Sequence, residues 1–201
     1  AWAWHQIGGL RYLAGDYATA VRFLSQSAAQ FEATREAEHA GSAHETLAAS
    51  YLAMGNHRNA WKHYVRALES SPTRAFSMTS YATRNGVGIA ALRSGMPRAA
   101  RVVFNDNLRI AESVGSLGRV AETQRNLAEA CLSTGDLQCV SRHLQAGLEA
   151  VSALAKVAPN RRTEAEYAWI RARLAAETGS PDSIDAVAAA TRKFSDLRVY
   201  P

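Results

Sequence analysis

Large aliphatic side chains return at Ile7, Leu47, Val87 and Leu127, one every 40 residues. The position after each is small: Gly8, Ala48, Gly88 and Ala128. Two more columns keep this register, first Ala20, Ala60, Ala100 and Val140, then Leu24, Tyr64, Phe104 and Leu144. Between the two halves of each period stand Gly15, Gly55, Gly95 and Gly135, and Gly179 follows after 44 residues. Large and small residues at fixed offsets on either side of a glycine are what two antiparallel helices need to interlock. The glycine marks where the first helix stops and reverses, a site that requires positive φ. Asp16, Asn56 and Asp136 then serve as N-caps of the second helix, and Pro97 and Pro181 suit its first turn.

The pattern predicts first helices of each pair near 2–14, 38–54, 74–94, 117–134 and 162–178. Second helices are predicted near 17–34, 57–70, 97–113, 137–155 and 182–194. Val157-Ala158-Pro159-Asn160 reads as a loop that accounts for the longer last interval. In the fifth period Arg171 occupies the aliphatic column, which marks that unit as degenerate. No strand-like alternation competes, and an alanine-rich apolar share of 47% favours helix throughout. The fold class is all-α. A period of this length also means that each unit is too small to bury a core alone.

Several segments resemble the tetratricopeptide repeat (TPR) family. They are Gly15-Asp16-Tyr17 with Ala20, and Leu47-Ala48 with Tyr51, Gly55, Ala60, Tyr64, Ala67 and Pro72. Trp4 falls where that family favours Trp, while Ala91 and Cys131 replace its first-helix tyrosine. The likeness covers about residues 1–150, and the longer period resembles repeats of bacterial regulatory proteins. It implies a right-handed superhelical solenoid of about five antiparallel helix-turn-helix repeats. We expect one array over 1–201, with repeats at 1–36, 37–72, 73–115, 116–156 and 162–194.

The formal net charge is +5, with nine basic and two acidic residues between 50 and 110. Arg58, Lys62 and Arg66 follow i, i+4, i+8 spacing on one helix face, and Arg98 is the repeat equivalent of Arg58. With Arg101 they form an expected basic ridge on the convex side, open to an acidic partner. A solvated face is the plainer explanation, and nucleic acid the weaker functional one. No apolar run is long enough to cross a membrane, so no membrane insertion is expected. Two cysteines exclude a disulfide scaffold and suit a reducing compartment, consistent with a cytoplasmic location. Ala1 already lies inside a helical pattern, and Phe194, Leu197, Val199 and Tyr200 lack a polar capping helix. Both ends therefore suggest a piece of a longer protein.

The resemblance implies that the first helices line a concave groove. Its expected wall comprises Trp2, His5, Gln6, Tyr12, Glu45, Arg84, Asn85, Glu122, Arg125 and Asn126. Asn85, Arg125 and Asn126 are the leading contacts as a set. First helices hold no Lys, which argues against the carboxylate clamp of chaperone-binding members. Trp4, Trp61 and Trp169 are assigned to packing. Gly8 and Gly88 supply close helix approach, and Gly86 belongs to the groove wall. No HExxH, GxSxG, GxGxxG or P-loop motif occurs. His39/His44 and His57/His63 have the wrong spacing to share a helix face, and Cys131 and Cys139 read as buried apolar side chains. No metal, cofactor or catalytic residue is expected. The function expected is a non-catalytic module that binds a protein or peptide segment. The alternative is a regulatory or sensor domain that holds a peptide or small effector.

Overall fold

The computed structural model describes residues 1–70, 78–156 and 160–197. Pro72, Arg74, most of the loop after Lys156, and Val199 and Tyr200 lie outside these residues. Ten helices occur among the described residues: α1 (Trp2–Leu13), α2 (Tyr17–Ala33), α3 (Ala37–Ala53), α4 (His57–Ser70), α5 (Met78–Arg93), α6 (Pro97–Ser113), α7 (Leu117–Leu132), α8 (Leu137–Ala155), α9 (Arg161–Glu177) and α10 (Ser183–Leu197). The chain falls into two compact units, Ala1–Val103 and Phe104–Pro201.

The turns obey one local rule. At the first, the Gly15 amide donates to Tyr12 O and the Asp16 amide to Arg11 O, the paired bonds of a Schellman stop. Gly15 holds φ 77°, and Gly55, Gly95, Gly135 and Gly179 are alike. The carboxyl of Asp16 accepts from the Thr19 amide, and that of Asp136 from the Cys139 amide. The side-chain carbonyl of Asn56 accepts likewise from the Asn59 amide. Asn160, expected as loop, caps α9 through the Thr163 amide at 3.1 Å. Pro97 opens α6, whereas Pro181 stays in the turn before α10.

The same stop also closes second helices, which the glycine ladder did not reveal. Gly115 (φ 65°) ends α6, and Arg35 (φ 61°) ends α2, 80 residues earlier. The Arg35 amide bonds Glu32 O and the Glu36 amide bonds Phe31 O. Arg35 is thus a bulky residue in the left-handed region, where a side chain costs about 1–2 kcal/mol.

In the first unit α1 packs on α2 and α3, and α3 on α4 and α5. Ala20 and Leu24 of α2 pack with Leu47 of α3, and Ala48, Ala60 and Tyr64 of the second hairpin pack with Val87 and Ala90 of α5. A β-carbon built on Gly8 would meet Leu24 Cγ at 2.6 Å, so this glycine permits the α1–α2 approach. Gly86, expected on the groove wall, is buried instead: its β-carbon would lie 2.2 Å from the Tyr64 ring. Trp61 packs on this core, but Trp4 and Trp169 are about two-fifths exposed, against the packing role expected of them.

In the second unit α7 packs on α8 and α9, and α9 on α10. Val140, Leu144, Tyr167 and Ile170 form its core with both cysteines. Ile170 is buried and Arg171 exposed, so the aliphatic column of the fifth repeat is shifted by one residue. Full burial of each such side chain contributes about 1.5–3 kcal/mol.

Candidate functional site

The first unit carries a groove between α1 and α3, about 410 Å³ in volume and floored by Tyr64. From α1 come Gln6, Gly9, Leu10, Tyr12 and Leu13, and from α3 Glu45, Thr46 and Ala49. Leu10 and Leu13 form an apolar lip, 66% and 81% exposed. The helical period explains this arrangement: Gln6, Gly9 and Leu13 recur at three- and four-residue steps along one face of α1. Burial raises the Glu45 carboxyl above its ordinary value. Burial also raises the Tyr64 hydroxyl, with the Tyr12 and Glu45 charges adding to the effect. A half-buried carboxylate therefore sits among two phenols, a glutamine and leucines. Such a set can hold a cation on an extended chain while apolar neighbours lie on the lip.

The remaining expected groove residues are placed differently. Trp2 is half exposed, yet its indole packs 4.5 Å from the His39 ring and 5.5 Å from Phe31. His5 stands beside the same Phe31 ring, and burial followed by the His39 charge lowers its pKa. Arg84 and Glu122 are half-buried, and Asn85 and Asn126 are buried. Arg125 bonds Glu166 and donates to Asn126 Oδ1 at 3.0 Å. Of the expected set, Gln6, Tyr12 and Glu45 meet in the groove of the first unit.

The basic ridge residues Arg58, Lys62 and Arg66 are exposed on α4, Arg98 is exposed on α6, and Arg101 is half-buried there. Arg66 reaches Glu32 Oε1 at 3.5 Å, which partly neutralises it. In the second unit a cavity of about 520 Å³ lies among α8, α9 and α10, with Arg171, Asp182 and Lys193 on its rim. Lys193 lies 3.9 Å from Glu164.

Two polar constellations escaped sequence reasoning because their members meet across a hairpin, not along one helix. Glu32 Oε1 accepts from His44 Nε2 at 2.9 Å, and the Nδ1 atoms of His44 and His63 meet at 3.1 Å. Tyr51 stacks on His63 at 5.4 Å. Burial first, then His44, Arg66 and Lys62, push His63 down to about 4, against an opposing pull from Glu32. In the second unit Cys131 and Cys139 are joined by a disulfide, their Cα atoms 5.8 Å apart. Both are buried as expected, but they are bonded to each other and not merely apolar filler. The turn at Gly135 folds α8 back on α7 and brings together sulfurs eight residues apart. The signal available in the sequence was that both flank the same helix reversal.

Comparison with known proteins gives a consistent fold. Residues 1–73 match the family model for the tetratricopeptide repeat. No curated protein sequence matches. Among solved structures, a Podosopora anserina protein described as a putative kinesin light chain with nearly identical TPR-like repeats aligns at 18% identity. That alignment covers 96% of this chain and 95% of that one, with TM-score 0.73. A point-substituted form under the same description aligns at 16% identity over 98% and 95%, with TM-score 0.75. BtubC (BKLC) from P. vanneervenii aligns at 16% identity over 96% and 79%, with TM-score 0.77. These likenesses establish TPR-like helical repeats, a fold generally used for protein–protein interaction and typically non-catalytic. No helix among the described residues is long and apolar enough to cross a membrane.

Proposed function

We propose that the chain is a non-catalytic interaction module and that the α1–α3 groove binds an extended protein segment bearing a basic side chain between apolar ones. The observation that carries this reading is Glu45, a half-buried carboxylate set behind the exposed Leu10 and Leu13. A lysine or arginine entering the groove regains for that carboxylate the stabilisation it lost on leaving water, and its neighbours cover the leucine lip. Gln6 and Thr46 offer hydrogen bonds to the segment's backbone.

Fluorescent peptides alternating Leu with Lys, Leu with Ser, and Leu with Glu test the proposal by titration against the purified chain. The Leu/Lys peptide binds tightest, and Glu45→Gln lowers its affinity towards that of Leu/Ser. Equal affinity for all three, or an unchanged ranking in Glu45→Gln, overturns the assignment. Arg58→Glu with Lys62→Glu tests the ridge separately: an acidic partner docking there loses affinity and the groove ligand does not.

A further inference from the structure

Among the described residues, Cys131, Cys139 and His143 form a group whose ligating atoms all lie within 4.8 Å of one another. Cys131 stands at the end of α7, Cys139 in the first turn of α8, and His143 one turn further along the same face. The imidazole is already oriented. Gln124 Oε1 can only accept, so His143 donates its Nδ1 hydrogen across 2.7 Å, which in the neutral form of the ring leaves the lone pair on Nε2. Metal-ligating histidines are fixed in the same way by a carbonyl behind the ring. Arg142 Nη2 lies 3.9 Å from Cys139 Sγ, and Cys139 sits at a helix N-terminus. Both features favour the thiolate, which is the ligating form.

The internal repeat shows what is particular here. His63 and Tyr51 of the second repeat correspond to His143 and Cys131 of the fourth, 80 residues on. Where Tyr51 covers His63 with a ring, the fourth repeat offers sulfur to the histidine instead.

We propose that, once the Cys131–Cys139 bond is reduced, these two thiolates and His143 bind Zn²⁺, with water in the fourth position. Two sulfurs and one imidazole suit Zn²⁺. Disulfide and metal are then alternative fastenings of one hairpin. Reduction by an external dithiol breaks the S–S bond, two electrons and two protons pass to the cysteines, and the dithiol closes to its own disulfide. Each thiol releases its proton on binding the ion.

The test uses the 201-residue chain, reduced with dithiothreitol and freed of it without oxygen. Co²⁺ is the first probe, and Zn²⁺ follows in competition with a coloured chelator. We expect one equivalent of Co²⁺, a thiolate-to-cobalt charge-transfer band, displacement by Zn²⁺, and no such band in the disulfide form. Cys131→Ala, Cys139→Ala and His143→Val borrow the residues at Ala91, Ala99 and Val103, which the same repeat positions already accommodate. Each variant lowers Zn²⁺ affinity about tenfold or more. In thermal melts Zn²⁺ raises the midpoint of the reduced parent but not of Cys131→Ala. A reduced chain without the charge-transfer band, Zn²⁺ affinity unchanged in His143→Val, or equal affinity in the disulfide form overturns the proposal.

Discussion

The Tyr167 hydroxyl donates a 2.6 Å hydrogen bond to the backbone carbonyl of Ala121, tying α9 to α7 across 46 residues. The same ring lies over Gly147 of α8, so one side chain joins three helices of the second unit. A β-carbon at Gly147 would fall 1.8 Å from the hydroxyl oxygen. Tyr167 is fully buried and cannot swing aside. Gly147→Ala should therefore destabilise the protein despite alanine's better helix propensity. The expected net loss is about 1–2 kcal/mol, overpacking outweighing propensity, and urea unfolding measures it. A variant as stable as the parent would show that the ring does not define this interface.

Arg35 offers the opposite experiment. It holds φ 61° at the same helix stop where Gly115 stands. Arg35→Gly removes the steric cost at some expense in unfolded-chain entropy. The expected net gain is about 0.5–1 kcal/mol, read as a higher denaturant midpoint with unchanged slope. A loss of stability would place the importance of Arg35 in its side chain.

Acid should weaken the first unit through His63. Its folded pKa is depressed from 6.5 to about 4, so below pH 6.5 the unfolded chain binds the proton more readily than the native one. Stability is then full above pH 6.5, falls as pH drops towards 4, and loses nothing further to this group below that. His63→Phe, the residue found at Phe23 one repeat earlier, should flatten the fall between pH 6.5 and 4 in thermal melts. His5, also lowered by burial, titrates in both proteins and cancels in the comparison.

Arg125 separates a structural role from a ligand-binding one. Its side chain is 19% exposed, and that of its partner Glu166 21%. Arg125→Ala leaves the carboxylate with the exposed Arg162, at 3.2 Å. The expected cost is about 1–3 kcal/mol, below that of a fully buried pair. Arg125→Lys recovers part of it, because an ammonium cannot serve Glu166 and Asn126 with one planar fork. A double-mutant cycle with Glu166→Gln checks the coupling. Full stability in Arg125→Ala would return this residue to the set available for a partner.

The helices and their stops were legible because they are local. The glycine at each reversal, the Asp or Asn after it and the large–small columns are decided within one or two turns of chain. Less legible was which polar side chains remain on the surface. Asn85, Asn126 and Arg125 occupy the same repeat offsets as Glu45 and His5, or lie next to them, yet they turn inward or pair internally. Register could place them on a helix face but could not say what the neighbouring helix brings to it. Arg35 was invisible for another reason, since a bulky residue in a glycine conformation carries no compositional mark.

The sequence by itself determined an all-α chain of helix pairs with a 40-residue period, reversing at Gly15, Gly55, Gly95, Gly135 and Gly179. These features follow from backbone sterics and side-chain periodicity, which act over a few residues. Only the tertiary structure decided that Glu45 sits behind Leu10 and Leu13, that His44 meets His63, and that Cys131, Cys139 and His143 converge. Each of those meetings depends on the distance and rotation at which one helix packs on another. Those quantities are set by the summed packing of many side chains, including the clearance that Gly86 and Gly147 leave for tyrosine rings.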